Sequence, residues 1–298
     1  MNQPTSLSRY RGRFAPSPTG ELHFGSLVAA LGSFLQARAR EGCWLVRIED
    51  IDPPREVPGA AGSQLKTLAE FGLVPDEPVL YQSRFGTRHA QALQQLLANG
   101  KAFLCGCSRR DLPADGIYPG TCRDGLPPGK KARSVRLRVN GQTIDFVDGI
   151  QGSQSQRPAS QTGDFVIRRA DGLIAYQLAV VVDDAAAAIT EVVRGADLLD
   201  STGRQLYLYR CLNRPAPDHV HLPMIVDADG NKLSKSSGAD PIQRQDHKTA
   251  LRLALRALGH EPPAGLTSLS SQLAWACQHW QLDKVPAGPC AIGVQPGR

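Results

Sequence analysis

Residues 13–26 read RFAPSPTGELHFGS, and this stretch decides the fold because it predicts a strand, a tight turn and the start of a helix. Residues 10–14 can form a short buried strand. The strand cannot continue through Pro16 and Pro18, since proline fixes φ and lacks a backbone donor, and Gly20 admits a sharp turn. The sequence therefore predicts a strand that ends abruptly in a turn.

A helix is predicted directly after this turn. Apolar residues recur at helical spacing along Phe24–Ala39, which indicates that one face of the helix is buried. His23 and Gly25 then lie at the helix start, where free N–H groups and the positive end of the helix dipole favour phosphate. Gly25 also leaves room for a flat ring. Taken alone, the pattern fits an ordinary strand-to-helix turn with a surface histidine better than a phosphate site.

A second motif lies about two hundred residues further along the chain. Residues 232–236 read KLSKS, and they follow an apolar run at 222–226 and a turn at Asp229 and Gly230. By itself this motif also fits a solvated basic loop. The two motifs in this order are far more specific than either one.

Together the motifs resemble the HIGH and KMSKS signatures of class I aminoacyl-tRNA synthetases. With RIED at 47–50, the first motif is similar to the glutamyl branch, and EDIDPPRE at 49–56 resembles its short paralogues, the glutamyl-queuosine tRNA(Asp) synthetases. The resemblance covers roughly residues 9–240. It implies an α/β fold: a Rossmann-like parallel-sheet catalytic domain, an inserted small zinc-containing subdomain and a short C-terminal helical part. Only 62 residues follow Ser236, so we expect no anticodon-binding domain of the usual size.

Pattern and composition divide the chain into four predicted parts. These are the first half of the catalytic domain at 1–100, an insertion with a zinc knuckle at 101–164, the second half with the KLSKS loop at 165–239, and a helical segment and tail at 240–298. Helices are predicted at 63–71, 88–97, 198–212, 241–258 and 268–280, and strands at Cys43–Ile48, 135–139 and 143–147. Residues 151–161 are expected to be polar and flexible, and the tail after Pro286 to be loose.

Length and composition indicate a globular protein of about two domains. The chain has 298 residues and a net charge of +6, which suits a polyanionic partner without identifying one. Seven cysteines at irregular spacing argue against a disulfide framework. No apolar run approaches the roughly 20 residues needed to cross a membrane, and the first residues do not resemble a secretory signal. We therefore expect a cytoplasmic protein without a membrane partner. We also expect a monomer.

Activation of an amino acid joins its carboxylate to the α-phosphate of ATP and expels pyrophosphate. Both reactants are anions, so positioning and charge stabilisation dominate the chemistry. We assign His23 and Gly25 to ATP binding, and Lys235 to the phosphates with support from Lys232. The catalytic residues are then His23 and Lys235, and the resemblance makes Lys235 the ATP-contacting lysine of the second signature. ATP chemistry also implies Mg²⁺.

The amino-acid pocket must hold an ammonium and a second carboxylate, which calls for an acid and for an arginine acting as a bidentate fork. The resemblance places L-glutamate against Arg13, Phe14, Ala15, Pro16, Ser17, Glu49, Tyr176 and Arg194. On that basis Glu49 takes the ammonium, and either Arg13 or Arg194 takes the side-chain carboxylate. Each arginine alone would otherwise be read as a surface ion pair, and Tyr176 alone as a core residue.

Cysteines cluster in the predicted insertion, at Cys105, Cys107 and Cys122. Three thiols on a loop rich in glycine and proline fit a small zinc knuckle, although three unliganded thiols remain an alternative. Spacing does not identify a fourth ligand, and the resemblance suggests the phenolate oxygen of Tyr118. The zinc would have a structural role, stiffening an insertion that lacks a core of its own.

The resemblance implies that the enzyme activates L-glutamate with ATP without needing tRNA. It then implies transfer of glutamate to the queuosine base in the anticodon loop of tRNA(Asp). One alternative is a minimal glutamyl-tRNA synthetase that charges tRNA(Glu). Another is a non-catalytic RNA-binding protein derived from a synthetase, against which the intact His23, Gly25, Lys232 and Lys235 argue.

Overall fold

The computed structural model describes residues 9–227, 230, 242 and 245–291. Its strands are β1 (Arg11–Phe14), β2 (Cys43–Ile48), β3 (Leu80–Tyr81), β4 (Ala102–Cys105), β5 (Ser134–Leu137), β6 (Ile144–Asp148), β7 (Gly152–Gln156), β8 (Val166–Arg168), β9 (Glu191–Gly195), β10 (Asp218–Leu222), β11 (Ile225–Val226) and β12 (Cys290–Ala291). Its α-helices are α1 (Phe24–Ala39), α2 (Ala60–Glu70), α3 (Gly86–Ala98), α4 (Pro158–Gln161), α5 (Tyr176–Ala186), α6 (Leu199–Cys211), α7 (His247–Ala257) and α8 (Leu269–His279).

The centre of the fold is parallel β-structure. β1 pairs with β2, which pairs with β3, and β9 pairs with β10, which pairs with β6, all in parallel. β1 lies beside β9, because the Thr190 N–H donates to the Arg11 carbonyl at 2.9 Å. The carboxyl ends of these strands therefore meet at one edge, where α/β folds place their ligands.

Helix α1 covers this sheet closely because one of its positions carries no side chain. A Cβ placed on Gly32 would lie 2.6 Å from the Leu222 side chain on β10. The main core includes Leu27, Leu31, Trp44 and Val193, all at most 2 % exposed. This packing fixes the start of α1 relative to the strand ends.

Several of the predicted elements are confirmed. α1 and β2 have the predicted bounds, and the helices predicted at 63–71, 88–97 and 198–212 are α2, α3 and α6 with ends shifted by one to three residues. The helix predicted at 241–258 is shorter, and α7 begins at His247 behind its cap Asp246. The Asp246 carboxylate accepts from the Thr249 N–H at 3.1 Å, which stabilises that start.

Two expectations about loops are wrong. Residues 151–161 are ordered: β7 pairs antiparallel with β6, and α4 follows it. β7 carries only glycine and polar residues because it lies at the edge of its sheet, and Gln156 at its end accepts from the Gly203 N–H at 2.7 Å. In the tail after Pro286, β12 pairs in parallel with β11, and residues 292–298 lie outside the described residues.

Sheet pairing crosses the predicted domain boundary between residues 164 and 165 in two sheets. β6 and β7 share a sheet with β9 and β10, whereas β8 joins β4 and β5 in a separate antiparallel sheet. The Cys105, Cys107 and Cys122 side chains form a small core of their own beside that second sheet. The four-part division of the chain stays a prediction. None of the α-helices in the described part of the chain combines the length and the apolar character that a membrane span requires.

Candidate active site

The loop after β1 has the shape that its prolines and glycine predict. Gly20 has φ +129°, a conformation that residues with a Cβ rarely adopt. Gln64 of α2 is fully buried and donates from Nε2 to the carbonyls of Ser17 at 3.0 Å and Gly20 at 2.7 Å. The Glu49 N–H donates to the Pro16 carbonyl at 2.9 Å. The loop is therefore pinned to both neighbouring elements.

A cavity of about 830 Å³ opens beside this loop. It is lined by ten of the twelve residues predicted to bind ATP or glutamate: Arg13, Phe14, Ala15, Pro16, Ser17, His23, Gly25, Glu49, Tyr176 and Arg194. The other two, Lys232 and Lys235, lie outside the described residues. The fold thus brings together residues that are up to 181 positions apart in the chain.

His23 is the N-cap of α1. Its Nδ1 accepts from the Ser26 N–H at 3.3 Å, and its carbonyl accepts from the N–H groups of Ser26 and Leu27. The ring therefore occupies one helix-start donor itself, which leaves the N–H groups of Phe24 and Gly25 as the first candidates for an anion.

A chain of buried charges lies behind the cavity. Asp184 on α5 accepts from Arg47 at 2.5 Å and from Arg13 at 3.2 Å, and Arg47 also donates to Glu49 at 3.2 Å. All four side chains are at most 7 % exposed. Each charge has an opposite neighbour, which is the condition for burying it.

These neighbours shift the acidities in opposite directions. Burial raises the pKa of the Asp184 carboxyl, but the charges of Arg13 and Arg47 outweigh it and lower the pKa to about 2. For Glu49, burial dominates over the same two arginines, and its pKa is raised. Glu49 is therefore short of positive charge, which a bound cation would supply.

Arg194, near the end of β9, uses most of its N–H groups in hydrogen bonds to other residues. Its Nε donates to His221 at 3.0 Å, its Nη1 to Gln205 at 2.7 Å, and its Nη2 to Thr202 at 2.9 Å and to the Leu198 carbonyl at 3.2 Å. Four of its five N–H groups are thus used within the described part of the chain.

The cysteine cluster is compact. The sulfurs of Cys105, Cys107 and Cys122 lie within 4.8 Å of one another, with 3.7 Å between Cys107 and Cys122. The Tyr118 hydroxyl lies 3.5 Å from the Cys105 sulfur, and the Arg136 Nε lies 3.4 Å from the same sulfur. The structure therefore brings all four predicted metal ligands together beside a cation.

The thiols of this cluster differ in acidity. Burial raises the pKa of Cys105, but hydrogen bonds from Tyr118, the Cys107 N–H and Arg136 lower it to about 7. Burial and the neighbouring Cys122 raise the pKa of Cys107 to about 11. Burial raises the pKa of the Tyr118 phenol as well. A divalent cation would be needed to keep all four groups deprotonated together.

A second cavity, of about 1000 Å³, lies between this cluster and the loop after β2. Five arginines and two aspartates are among its lining residues: Arg55, Arg109, Arg133, Arg136, Arg169, Asp52 and Asp171. Arg109 and Arg133 are exposed, whereas Arg169 is paired with Asp52 at 2.9 Å and with Asp171 at 2.6 Å. Arg55 lines both cavities, so the two are adjacent.

Sequence reasoning missed the residues that hold the predicted ones in place. Asp184 and Arg47 are the chief examples, and two acids at 183–184 inside an apolar helix were a usable signal, because buried acids need partners. Asp148 and His221 were also missed. Asp148 lies in the predicted insertion, and nothing in the sequence indicates that β6 returns to the central sheet.

The chain belongs to a synthetase family. The model of the class I tRNA synthetases (E and Q) catalytic domain matches residues 9–115 and 123–264. This confirms the predicted resemblance to class I synthetases of the glutamyl type, together with a catalytic fold built on a parallel sheet.

Within that family, the chain is similar to proteins named glutamyl-Q tRNA(Asp) synthetase. The one from Chromobacterium violaceum is 52 % identical, over 96 % of this chain and 99 % of the relative. The one from Burkholderia cenocepacia is 57 % identical, over 84 % and 88 %. The one from Pseudomonas aeruginosa is 51 % identical, over 94 % and 96 %.

Solved structures give the same family. A glutamate tRNA ligase from Elizabethkingia meningosepticum, crystallised in complex with its amino acid, superimposes with a TM-score of 0.82 at 25 % identity. The match covers 97 % of this chain and 68 % of the ligase.

Proposed function

We propose that this protein activates L-glutamate with ATP in the absence of tRNA, and then transfers the glutamate to the queuosine base in the anticodon loop of tRNA(Asp). The observation that carries the proposal is the 830 Å³ cavity, which unites the predicted glutamate residues with the start of α1. The names of the relatives support the choice of tRNA.

The charge of the cavity suits glutamate. Its charged lining residues include three arginines and two acids, Arg13, Arg55, Arg194, Glu49 and Asp197. Among the described residues, that leaves an excess of one positive charge, opposite in sign to the net charge of glutamate at neutral pH; Lys232 and Lys235 lie outside the described residues. Glutamine lacks this net charge, so it would leave the excess uncompensated.

Counting donors favours Arg13 as the fork for a carboxylate. In the described part of the chain, the hydrogen bonds of its side chain all go to Asp184, from Nε and Nη2, so three of its five N–H groups stay available. Arg194 has only one N–H left, on Nη1. Glu49, whose pKa burial raises, receives the ammonium.

The first step needs alignment more than acid–base chemistry. An oxygen of the glutamate α-carboxylate attacks the α-phosphorus of ATP, the new O–P bond forms, and the bond to pyrophosphate breaks. The carboxylate is already a nucleophile, so the protein must hold two anions together and stabilise the leaving group. We assign the phosphates to His23, Gly25, Lys232 and Lys235, with Mg²⁺ accompanying ATP.

The second step forms an ester. A hydroxyl oxygen of queuosine attacks the carbonyl carbon of glutamyl-adenylate, AMP leaves with the electron pair of the cleaved C–O bond, and the hydroxyl proton is lost. The arginine-lined second cavity lies beside the first and would hold phosphates of the anticodon loop. Arg109 and Arg133 are the exposed candidates for those contacts.

The cysteine cluster is proposed to hold one structural Zn²⁺ through Cys105, Cys107, Cys122 and Tyr118. Tetrahedral zinc places two sulfurs about 3.8 Å apart, and a sulfur and an oxygen about 3.6 Å apart. The observed 3.7 Å between Cys107 and Cys122 and 3.5 Å between Cys105 and Tyr118 fit those values. Arg136 would offset the negative charge of such a donor set.

Glutamate-dependent ATP–pyrophosphate exchange without tRNA tests the first step directly. We expect exchange with glutamate and background with glutamine. Transfer is then measured with labelled glutamate on tRNA(Asp) that carries queuosine, and on the same tRNA lacking it. Exchange only after tRNA is added, with charging of unmodified tRNA(Glu), would replace the proposal by an ordinary charging enzyme. No exchange in either condition, with RNA binding intact, would favour a binding protein.

A further inference from the structure

Behind the cavity, Asp148, His221 and Arg194 form a buried series of hydrogen bonds, which we call the relay. The imidazole of His221 on β10 lies between the Asp148 carboxylate, 2.5 Å from its Nδ1, and the Arg194 guanidinium, 3.0 Å from its Nε2. These three residues are 0–5 % exposed, so water does not replace the bonds between them. Neither Asp148 nor His221 lines the cavity, whereas Arg194 does.

The partners of His221 fix its tautomer. A guanidinium N–H can only donate, so the Nε2 that faces Arg194 must carry a lone pair. The proton of a neutral imidazole is then on Nδ1, where the Asp148 Oδ2 accepts it. The Thr202 hydroxyl, 3.3 Å from Nε2, already accepts from Arg194 and can donate its own proton to the same lone pair.

Asp148 is itself held in one orientation. Its Oδ1 accepts from the backbone N–H groups of Ile150 at 3.1 Å, Gln151 at 2.9 Å and His221 at 3.1 Å. Its Oδ2 is therefore the oxygen presented to the imidazole. The carboxylate can accept from the backbone and from the imidazole at the same time because both of its oxygens are acceptors.

We propose that Asp148 and His221 are positioning residues for Arg194, and that the tautomer which Asp148 imposes on His221 sets the affinity of the cavity for its amino-acid substrate. The proposal rests on the proposed function, since it assumes that Arg194 contacts glutamate. Arg194 has a single N–H left for a ligand, so its usefulness depends on being held at one angle.

Asp148→Asn tests the tautomer. The amide has one oxygen, which the three backbone N–H groups claim, so its NH₂ faces His221 Nδ1. Nδ1 must then accept, the proton moves to Nε2, and an N–H opposes the Arg194 N–H. We expect the KM for glutamate in tRNA-free exchange to rise about tenfold or more, with the KM for ATP within about twofold.

His221→Asn and His221→Gln form a matched pair. The glutamine Oε1 can replace the Nε2 lone pair that holds Arg194, whereas the asparagine amide reaches only the position of Nδ1. We expect His221→Asn to raise the KM for glutamate like Asp148→Asn, and His221→Gln to stay near wild type. Glutamine has no tautomers, so adding Asp148→Asn to His221→Gln should cost much less than in the wild type.

His260 provides the control for the cost of burial. It is 3 % exposed, its Nδ1 lies 2.7 Å from the Leu258 carbonyl, its Nε2 accepts from the Gln281 N–H at 3.0 Å, and it does not line the cavity. His260→Asn and His260→Gln should change thermal stability without changing the KM for glutamate.

The decisive experiment combines tRNA-free exchange kinetics with ¹⁵N NMR of histidine-labelled protein, the His221 signals being assigned by their loss in His221→Gln. We expect Nδ1–H in the wild type and Nε2–H in Asp148→Asn. An Nε2–H wild type, or equal glutamate KM values for His221→Asn and His221→Gln, would overturn the relay. A wild type without glutamate exchange would instead refute the proposed function, and the tautomer alone would then decide whether the relay exists.

Discussion

Asp184→Asn removes one charge and almost no volume from the centre of the buried ion chain. The carboxylate serves Arg13 and Arg47 at once, and all three side chains are at most 5 % exposed. Of the four buried charged residues, the substitution leaves Glu49 as the one acid beside the two arginines. The new NH₂ group also faces a guanidinium. Removing one partner of a buried ion pair costs about 3–5 kcal/mol. At about 2–4 °C per kcal/mol for a chain of this size class, we expect Tm to fall by about 6–20 °C.

Asp171→Asn is the matched control for this loss. It makes the same chemical change in an exposed pair with Arg169, where solvent screens the charges and a much smaller loss of stability is expected. Urea unfolding and thermal melts of both variants measure the difference. If Asp184→Asn lowers the stability no more than Asp171→Asn does, the buried charges around Asp184 do not depend on one another as argued.

The same carboxyl predicts a dependence on pH. Its pKa in the folded protein is about 2, below the roughly 3.9 of an unfolded aspartate, so its contribution is complete above about pH 4. The contribution is lost as pH falls from about 4 towards 2. The stability gap between the wild type and Asp184→Asn should therefore narrow across that window, and a constant gap would contradict the assigned pKa.

Three further outcomes are expected. Gly20→Ala forces a Cβ into a left-handed conformation and should cost about 1–2 kcal/mol in unfolding experiments, whereas Gly141→Ala, with open space around it, should cost less than half as much. Cys122→Ser should lower the bound zinc measured by atomic spectroscopy, which Cys277→Ser, a half-buried thiol elsewhere, should leave unchanged. Arg133→Ala should weaken tRNA binding and reduce the slope of log K against log salt concentration by about one, with tRNA-free exchange intact. An unchanged slope would show that Arg133 in the second cavity does not contact an RNA phosphate.

The sequence predicts local structure well where side-chain pattern decides it. The bounds of α1 were predictable, because the apolar spacing of Phe24–Ala39 indicates a helix and the prolines before it end the preceding strand. Its burial was not, because eleven of its 16 residues are buried and not only one face. The same holds for β2, a short apolar run between turns. The pattern of residues 151–161 does not indicate a strand, because β7 is an edge strand whose polar side chains resemble those of a loop.

The site residues fall into two groups, those that belong to sequence motifs and those that are defined only by long-range contacts. Those in motifs, such as His23 and Glu49, could be found from the sequence, because the chemistry needs those groups at a strand end or a helix start. The acids at 183–184 signal a buried charge, but the partners of Asp184 and Asp148 could not be assigned, because they are 171 and 73 residues away and only the folded topology creates the contacts. Long-range pairing of single charges leaves no periodic trace in a sequence.

The ion chain around Asp184 also has a consequence for synthesis on the ribosome. Asp184 is synthesised 137 residues after Arg47, its partner in the ion pair. At about 5–20 residues per second, that separation corresponds to about 7–27 s of translation. Throughout that interval, the nascent first half carries buried-site arginines with no aspartate to enter with them. Burying them alone is costly, so β1 and β2 are expected to remain open until α5 emerges. The pocket would then close late, in one event that joins both halves of the chain.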